Sequence, residues 1–352
     1  MKILVDENLA ESEYFFSDFG EIISKAGRKI TADDVQDIDA LLVRSVTQVD
    51  EKLLKNSPVK FVGSATIGTD HLDINYLQNQ NITWANAAGC NVQAVAEYVI
   101  TALYHVKPEC LEKDFSLGIV GLGNVGKRLV RLAQQLGWQV KGYDPFVQCA
   151  DVQQVDFADV LQCDAVSIHT PLTTVGDYPT YHMFDAKAFA QMPKDTILIN
   201  SARGAVVSEQ ALLADIARTG RTVVLDVFEH EPQISQAVLD AVKIVTPHIA
   251  GYSLEGKLRG AAMIYQAFCE HFGFEVTKDI NSLMPKCDVL FDAKQDIKAQ
   301  LKQHLKAIYP IGRDDAELRA CLKNGVIVGD DFDRLRKNYP LRREWDAYGF
   351  YE

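Results

Sequence analysis

The sequence predicts an α/β protein built on parallel sheets and divided into two or three domains. Three observations carry this. The 352 residues exceed what one ordinary core holds. Hydrophobic residues make up 47% and charged residues 24%, the balance of a folded globular chain. Short apolar runs alternate with amphipathic stretches through roughly the first 275 residues, the pattern of strands and crossover helices around a parallel sheet.

In chain order, 2–5, 40–43, 60–63 and 82–85 read as buried strands, with helices over 12–19 and 51–56. A long apolar-rich stretch, 92–111, reads as a helix leaving the first domain. Strand signals then recur at 117–121, 139–143, 165–169, 196–200, 223–227 and 244–245, with helices over 125–136 and 209–219. One more helix is predicted over 256–272. From about residue 279 the chain turns polar and charged. Leu301, Leu305, Ile308, Tyr309, Leu318, Leu322, Phe332, Leu335, Tyr339 and Trp345 suffice to fold this tail but not to let it stand alone. A docking or dimerisation domain is expected there.

Composition excludes several classes of function. A net charge of -12 repels a polyanion, so nucleic acid is not an expected partner. The seven cysteines are odd in number, widely spaced and without a CxxC pair. Neither a bound metal nor a disulfide framework is expected, and a reducing, cytoplasmic compartment fits. The N-terminus meets Asp6 after a few apolar residues and does not read as a signal peptide, and no apolar run approaches membrane-spanning length.

The sharpest local signal is Gly121-Leu122-Gly123-Asn124-Val125-Gly126. A GxGxxG alone is weak, but here a strand leads in and a helix leads out. Gly121 permits the tight turn, Gly123 lets the backbone approach a pyrophosphate, and Gly126 lets helix and strand pack closely. The helix N-terminus, with Asn124 and Val125, offers free N–H groups to the phosphates. Asp144 ends the next strand, 18 residues beyond Gly126. An acid there accepts the ribose hydroxyls and repels a 2′-phosphate, which favours NAD over NADP.

Three later segments follow predicted strands. The first, Asn200-Ser201-Ala202-Arg203-Gly204, offers a two-pronged cation suited to a carboxylate or a polarised carbonyl. The second is Asp226-Val227-Phe228-Glu229-His230-Glu231-Pro232, and the third is Thr246-Pro247-His248-Ile249-Ala250-Gly251-Tyr252. Histidine is the usual proton carrier in alcohol oxidation, and a neighbouring carboxylate fixes its tautomer. Glu229 and Glu231 are both available for that task, and the choice stays open at this level.

These four ordered motifs, GLGNVG, NSARG, DVFEHEP and TPHIAG, resemble those of the D-isomer-specific 2-hydroxyacid dehydrogenase family, over residues 1 to about 275. The resemblance implies a catalytic set of Arg203, Glu231 and His248. It places Thr170, Ser201, Ala202, Arg203, Asp226 and Gly251 on the NAD cofactor, beside the glycine loop and Asp144. It also implies a Rossmann-type NAD domain (95–250) inserted in a flavodoxin-like α/β substrate domain (1–94 and the returning helix, 251–278), with domain closure excluding water during the reaction. A small α+β domain (279–352) follows.

Residues 63–73, 87–99, 169–184 and the tail are similar to one branch of that family. This branch oxidises a hydroxy acid with a phosphate at its far end and forms a homodimer through its own C-terminal domain. The segment AAGCN departs from it, with alanine where proline is expected. The branch resemblance puts Ser45, Thr66 and Tyr252 on the substrate. By their charge, Arg342 and Arg343 are candidates to reach a partner subunit's phosphate. Two alternatives remain: a family member acting on 3-phosphoglycerate or glyoxylate, and a non-enzymatic NAD-sensing partner protein on the same fold.

Overall fold

The computed structural model describes residues 1–112 and 114–350. It divides into two compact units, one formed by 1–91 with 253–286 and the other by 92–252 with 287–352. The expected boundaries were 94, 250 and 278; the chain crosses between units at 91, 252 and 286 instead. The tail from 287 belongs to the second unit and does not form a third.

The first unit holds a parallel sheet of β1 (Lys2–Asp6), β2 (Glu21–Lys25), β3 (Ala40–Val43), β4 (Phe61–Ser64) and β5 (Thr83–Asn86). Their order, β2-β1-β3-β4-β5, is the flavodoxin-like order. The sequence missed β2 because it is an edge strand with Glu21 and Ser24 exposed, so its apolar signal is thin. It also missed the short helix Ile74–Asn79. Helix Leu254–Phe272 returns to cover one face. Ser253 caps its start by accepting the Gly256 N–H, and Gly273 ends it at φ 75°. Gly63 is required beneath this helix, since a Cβ there would sit 2.4 Å from an Ile264 methyl carbon. Phe16, Phe61 and Phe268 close the layer with edge-on ring contacts.

The second unit opens on helix Val92–Val106. The helix expected over 92–111 breaks at Lys107, because Pro108 disfavours helical geometry before it; a single 3-10 turn follows. The strands are β6 (Ser116–Val120), β7 (Gln139–Tyr143), β8 (Gln153–Gln154), β9 (Ala165–Ile168), β10 (Ile197–Asn200), β11 (Val223–Leu225), β12 (Ile234–Ser235) and β13 (Ile244–Val245). The seven-stranded parallel sheet runs β13-β11-β10-β9-β6-β7-β8, the Rossmann order. Strand order reverses between β6 and β9. A dinucleotide fold binds its ligand at that reversal, beyond the carboxyl ends of the strands.

The C-terminal segment is mostly helical: Ile297–Ile308, Ile311–Arg319 and Gly329–Lys337. Its strand β14 (Val326–Ile327) pairs antiparallel with β12. Leu301, Leu305, Ile308, Tyr309 and Trp345 join the core of helices Val92–Val106 and Asn124–Gln135, while Leu318 and Phe332 join the core on the other side of the sheet. Each such burial is worth about 1.5–3 kcal/mol. The apolar positions that could not support an independent tail are spent on docking it to its own chain.

Candidate active site

The glycine loop sits where the sheet order reverses. Gly121 has φ +97°, and a Cβ there would lie 2.7 Å from the His169 carbonyl carbon. At Gly126 a Cβ would lie 2.0 Å from the Gly121 oxygen, so helix Asn124–Gln135 leaves the strand with no room to spare. Gly123 is different: a Cβ there would meet nothing within 4 Å among the described residues. No side chain among those residues caps this helix, so its first N–H groups point into that open space.

Asp144 follows β7. Its Oδ2 accepts the Leu122 N–H (2.8 Å) and its Oδ1 accepts those of Phe146 and Val147 (2.9 and 3.0 Å). The acid therefore ties the glycine loop to the turn after β7 and keeps acceptor capacity for a ribose. Across the reversal, the Thr170 and Ser201 hydroxyls are buried and find no partner among the described residues. Two orphaned hydroxyls beside an open, uncapped helix start fit a bound NAD, which would supply the missing partners. Neighbouring His169 bonds Ser167 Oγ (2.9 Å), and burial pulls its pKa down to about 3, so it is neutral.

Asn200 ends β10 and folds the next turn around its carboxamide. Its Oδ1 accepts the Ala202 N–H (3.1 Å) and its Nδ2 donates to the Arg203 carbonyl (2.9 Å). Arg203 is half-buried, with Nη1 on the Ala202 carbonyl (2.9 Å). Gly204 is forced, because a Cβ would lie 1.9 Å from the Phe228 carbonyl group. That contact draws the NSARG and DVFEHEP segments together.

The open choice between the two glutamates is resolved by geometry. Glu231 Oε1 lies 2.7 Å from His248 Nδ1. Glu229 instead takes His182 Nε2 (2.5 Å) and the Glu209 N–H (2.7 Å). Burial pushes the Glu231 carboxyl up, but attraction to His248, the hydrogen bond between them and the charge of Arg336 outweigh it. Its pKa therefore falls below the ordinary range. An ionised carboxylate only accepts, so His248 donates to it through Nδ1–H, and Nε2 is the ring nitrogen left for other partners.

His248 has φ +56°, a left-handed conformation that strains a non-glycine residue. The segment is held from both sides. Asp226, buried behind it, accepts Thr246 Oγ1 (2.6 Å) and the N–H groups of Ile249 (2.8 Å) and Ala250 (2.9 Å). Burial raises the Asp226 pKa to about 6, with His248 and these donors opposing the rise. From the other side Arg342 donates to the carbonyls of Ile249 (3.1 Å), Tyr252 (3.0 Å), Ala250 and Ala94 (3.1 Å). Arg342 is thus folded into its own subunit and is not available to a partner's phosphate, which corrects the expectation from its charge. Arg343 donates to Cys287 Sγ (2.9 Å).

Gly251 and Tyr252 follow, both half-buried. The Tyr252 ring meets Tyr339 edge-on at 5.9 Å. Ser45 and Thr66 belong to the first unit. Ser45 is exposed after β3, and Thr66 Oγ1 bonds Ser64 Oγ (2.8 Å) and the Gly68 carbonyl (3.2 Å). Sequence reasoning missed Asn200, Thr246, Tyr98 and Arg336 near this site. Only Asn200 and Thr246 had a signal, as members of quoted motifs; Tyr98, whose hydroxyl bonds Thr246 (2.8 Å), reads only as helix core.

Comparison with known proteins matches residues 107–250 to the family described as D-isomer specific 2-hydroxyacid dehydrogenase, NAD binding domain. Residues 285–350 match a family described as a domain of unknown function. The chain is 62% identical to erythronate-4-phosphate dehydrogenase of Acinetobacter baylyi over 352 residues, covering 99% of each chain. It is 45% identical to the enzyme of that name from Psychrobacter cryohalolentis, covering 99% of this chain and 97% of the relative. Among solved structures, an NAD+-bound 3-phosphoglycerate dehydrogenase of Entamoeba histolytica superposes with TM-score 0.66 at 24% identity, covering 79% of this chain and 99% of that one.

Proposed function

The chain belongs to the erythronate-4-phosphate dehydrogenase family, and on that premise we propose that it oxidises 4-phospho-D-erythronate to (R)-3-hydroxy-2-oxo-4-phosphooxybutanoate in vitamin B6 (pyridoxal 5′-phosphate) biosynthesis. What supports the reading at the site is the Glu231–His248 pair at 2.7 Å, in a chain similar to those relatives from end to end.

Bound NAD supplies the hydride acceptor. Gly121, Gly123, Asn124, Val125 and Gly126 would hold its phosphates, Asp144 and Thr170 its riboses, and Ser201, Ala202, Arg203, Asp226 and Gly251 the nicotinamide end. Arg203 would hold the substrate carboxylate and the C2 oxygen through its planar fork. His248 Nε2 would take the C2 hydroxyl proton, and Glu231 would stabilise the imidazolium so formed. Asp226 also fixes the backbone on which His248 stands. Ser45, Thr66 and Tyr252 are the proposed substrate contacts.

A homodimer through the C-terminal segment is part of the same reading. Val289 and Val328, exposed at 74% and 46%, give that segment apolar surface, and sedimentation at twice the chain mass is its check. A cytoplasmic location accords with seven unpaired cysteines. Among the described residues no helix is long and apolar enough to cross a membrane.

The test is a substrate comparison. Purified protein receives 4-phospho-D-erythronate or 3-phosphoglycerate, with NAD and 2-oxoglutarate as acceptor, and the keto-acid product is trapped and counted. Preference for the erythronate is expected. Preference for phosphoglycerate would move the enzyme to another substrate, and silence on both would favour an NAD sensor.

A further inference from the structure

Helix Gly329–Lys337 carries an arginine toward the loop that holds His248. Arg336 keeps only 14% of its side chain exposed. Its guanidinium carbon lies 5.7 Å from the centroid of the Tyr252 ring and 5.7 Å from that of Phe332. The Asp333 carboxylate on the same helix is 4.0 Å from Nη1, beyond hydrogen-bond distance. Its Nε is shut off from solvent and finds no hydrogen-bond partner among the described residues.

The other buried arginines of this unit are used differently. Arg342 spends both terminal nitrogens on main-chain carbonyls, which anchor it although its Nε also finds no partner among the described residues. Arg221 gives Nη1 to the Pro193 and Thr196 carbonyls and Nε to Asp215, and its Nη2 finds no partner among the described residues. The groups that raise the Arg336 pKa against its burial are Tyr252, by charge and by a side-chain hydrogen bond, Glu231 and Asp333, two of them members of the proposed site. A guanidinium N–H withdrawn from water without an acceptor is costly, and at Arg336, which lies beside Tyr252 and Glu231 and among the described residues is not anchored on main-chain carbonyls as Arg221 and Arg342 are, a ligand can supply the acceptor.

We propose that Arg336 is a specificity-determining residue that binds the phosphate group of the substrate, beside Tyr252. The proposal rests on the function argued above, and it separates the two ends of the substrate. Arg203, in the turn after β10, is matched to the carboxylate. Arg336, from the C-terminal segment, is matched to the phosphate, whose oxygens can take Nε and a terminal nitrogen together. On this account the segment described only as a domain of unknown function supplies part of the substrate recognition of its own subunit.

The experiment uses the full-length protein with Arg336→Met and Arg336→Lys. Three quantities are read: kcat and KM for 4-phospho-D-erythronate, the same constants for unphosphorylated D-erythronate, and the affinity of the NAD-loaded protein for inorganic phosphate by calorimetry. In Arg336→Met, KM for the phosphorylated substrate is expected to rise about tenfold to a hundredfold, mostly without loss of kcat. The loss on D-erythronate should be at least about tenfold smaller, and phosphate should bind more weakly by a factor like that of the KM change. Arg336→Lys should fall between, because a point charge remains while the planar fork is lost. Equal losses on both substrates, or an unchanged KM, overturn the proposal. Should Arg336→Met fail to bind NAD, the Lys variant decides: wild-type KM and phosphate affinity in it overturn the proposal. If wild type turns over neither erythronate, the substrate reading falls, and the phosphate affinities alone then decide the role of Arg336.

Discussion

Replacing Arg342 with methionine keeps the length of the side chain and removes its charge and its donors. Arg342 is 8% exposed and donates to the carbonyls of Ile249, Ala250, Tyr252 and Ala94. Its guanidinium carbon also stands 4.3 Å from the centroid of the Tyr309 ring. Hydrogen bonds from a charged group contribute about 1.5–3 kcal/mol each, and not additively. Removing one partner of a buried charged network costs about 3–5 kcal/mol, since what remains is left unpaired. Here the carbonyls remain, together with the carboxyls of Glu97 and Glu344, 1% and 2% exposed. The upper half of that range is expected, or a fall in Tm on the order of 10 °C for a unit of this size. Urea and thermal unfolding of wild type, Arg342→Met and Arg342→Lys measure it. The lysine variant should recover about half, because one ammonium cannot span the carbonyls that a planar fork reaches. A methionine variant within about 1 kcal/mol of wild type would refute the account of Arg342 as the clamp of this loop.

Two further outcomes follow from the geometry. Gly123→Ala should fold with wild-type stability and bind NAD at least about tenfold more weakly, since its Cβ enters only open space; Gly126→Ala should lose stability as well, its Cβ lying 2.0 Å from the Gly121 oxygen. Unfolding curves and cofactor titration separate the two, and equal stability loss in both would contradict this placement of the glycine loop. Asp226 has a folded pKa of about 6 against an ordinary value near 3.9, so between about pH 4 and 6 the folded chain keeps a proton that the unfolded chain releases. Its contribution is therefore fully present below about pH 4 and is lost as pH rises through 6, a change on the order of 2–3 kcal/mol. The difference in unfolding free energy between wild type and Asp226→Asn should fall across that window, and a flat difference would refute the burial argument.

The parts legible in the sequence were those whose cause is local. The glycine loop announced itself because turn, approach and packing each exclude a Cβ within six consecutive residues. Strands such as β3 and β10 were legible because a doubly covered parallel strand is a short apolar run. The choice between Glu229 and Glu231 was not, because both follow the same strand and only the tertiary path sends one to His182 and the other to His248. Neither was the contrast between Arg342 and Arg336. They lie six residues apart in a charged stretch; charge alone suggested a partner's phosphate for Arg342 and singled out nothing at Arg336. Burial against loop 249–252 makes the first a staple of the backbone, and the face of helix Gly329–Lys337 turns the second toward Tyr252.

The same contacts give the C-terminal segment a role beyond covering apolar surface. A histidine at φ +56° costs on the order of 1–3 kcal/mol, so it stays there only if its surroundings over-determine it. Asp226 fixes the N–H groups of Ile249 and Ala250. Arg342 takes the carbonyls of Ile249, Ala250 and Tyr252, so the peptide unit between Ile249 and Ala250 is gripped at both ends and those on either side of it at one. One grip comes from the end of the Rossmann sheet and the other from a residue nearly a hundred positions further along the chain. The orientation of Nε2, on which the proposed proton transfer depends, is therefore set jointly by the nucleotide fold and by the segment docked against it.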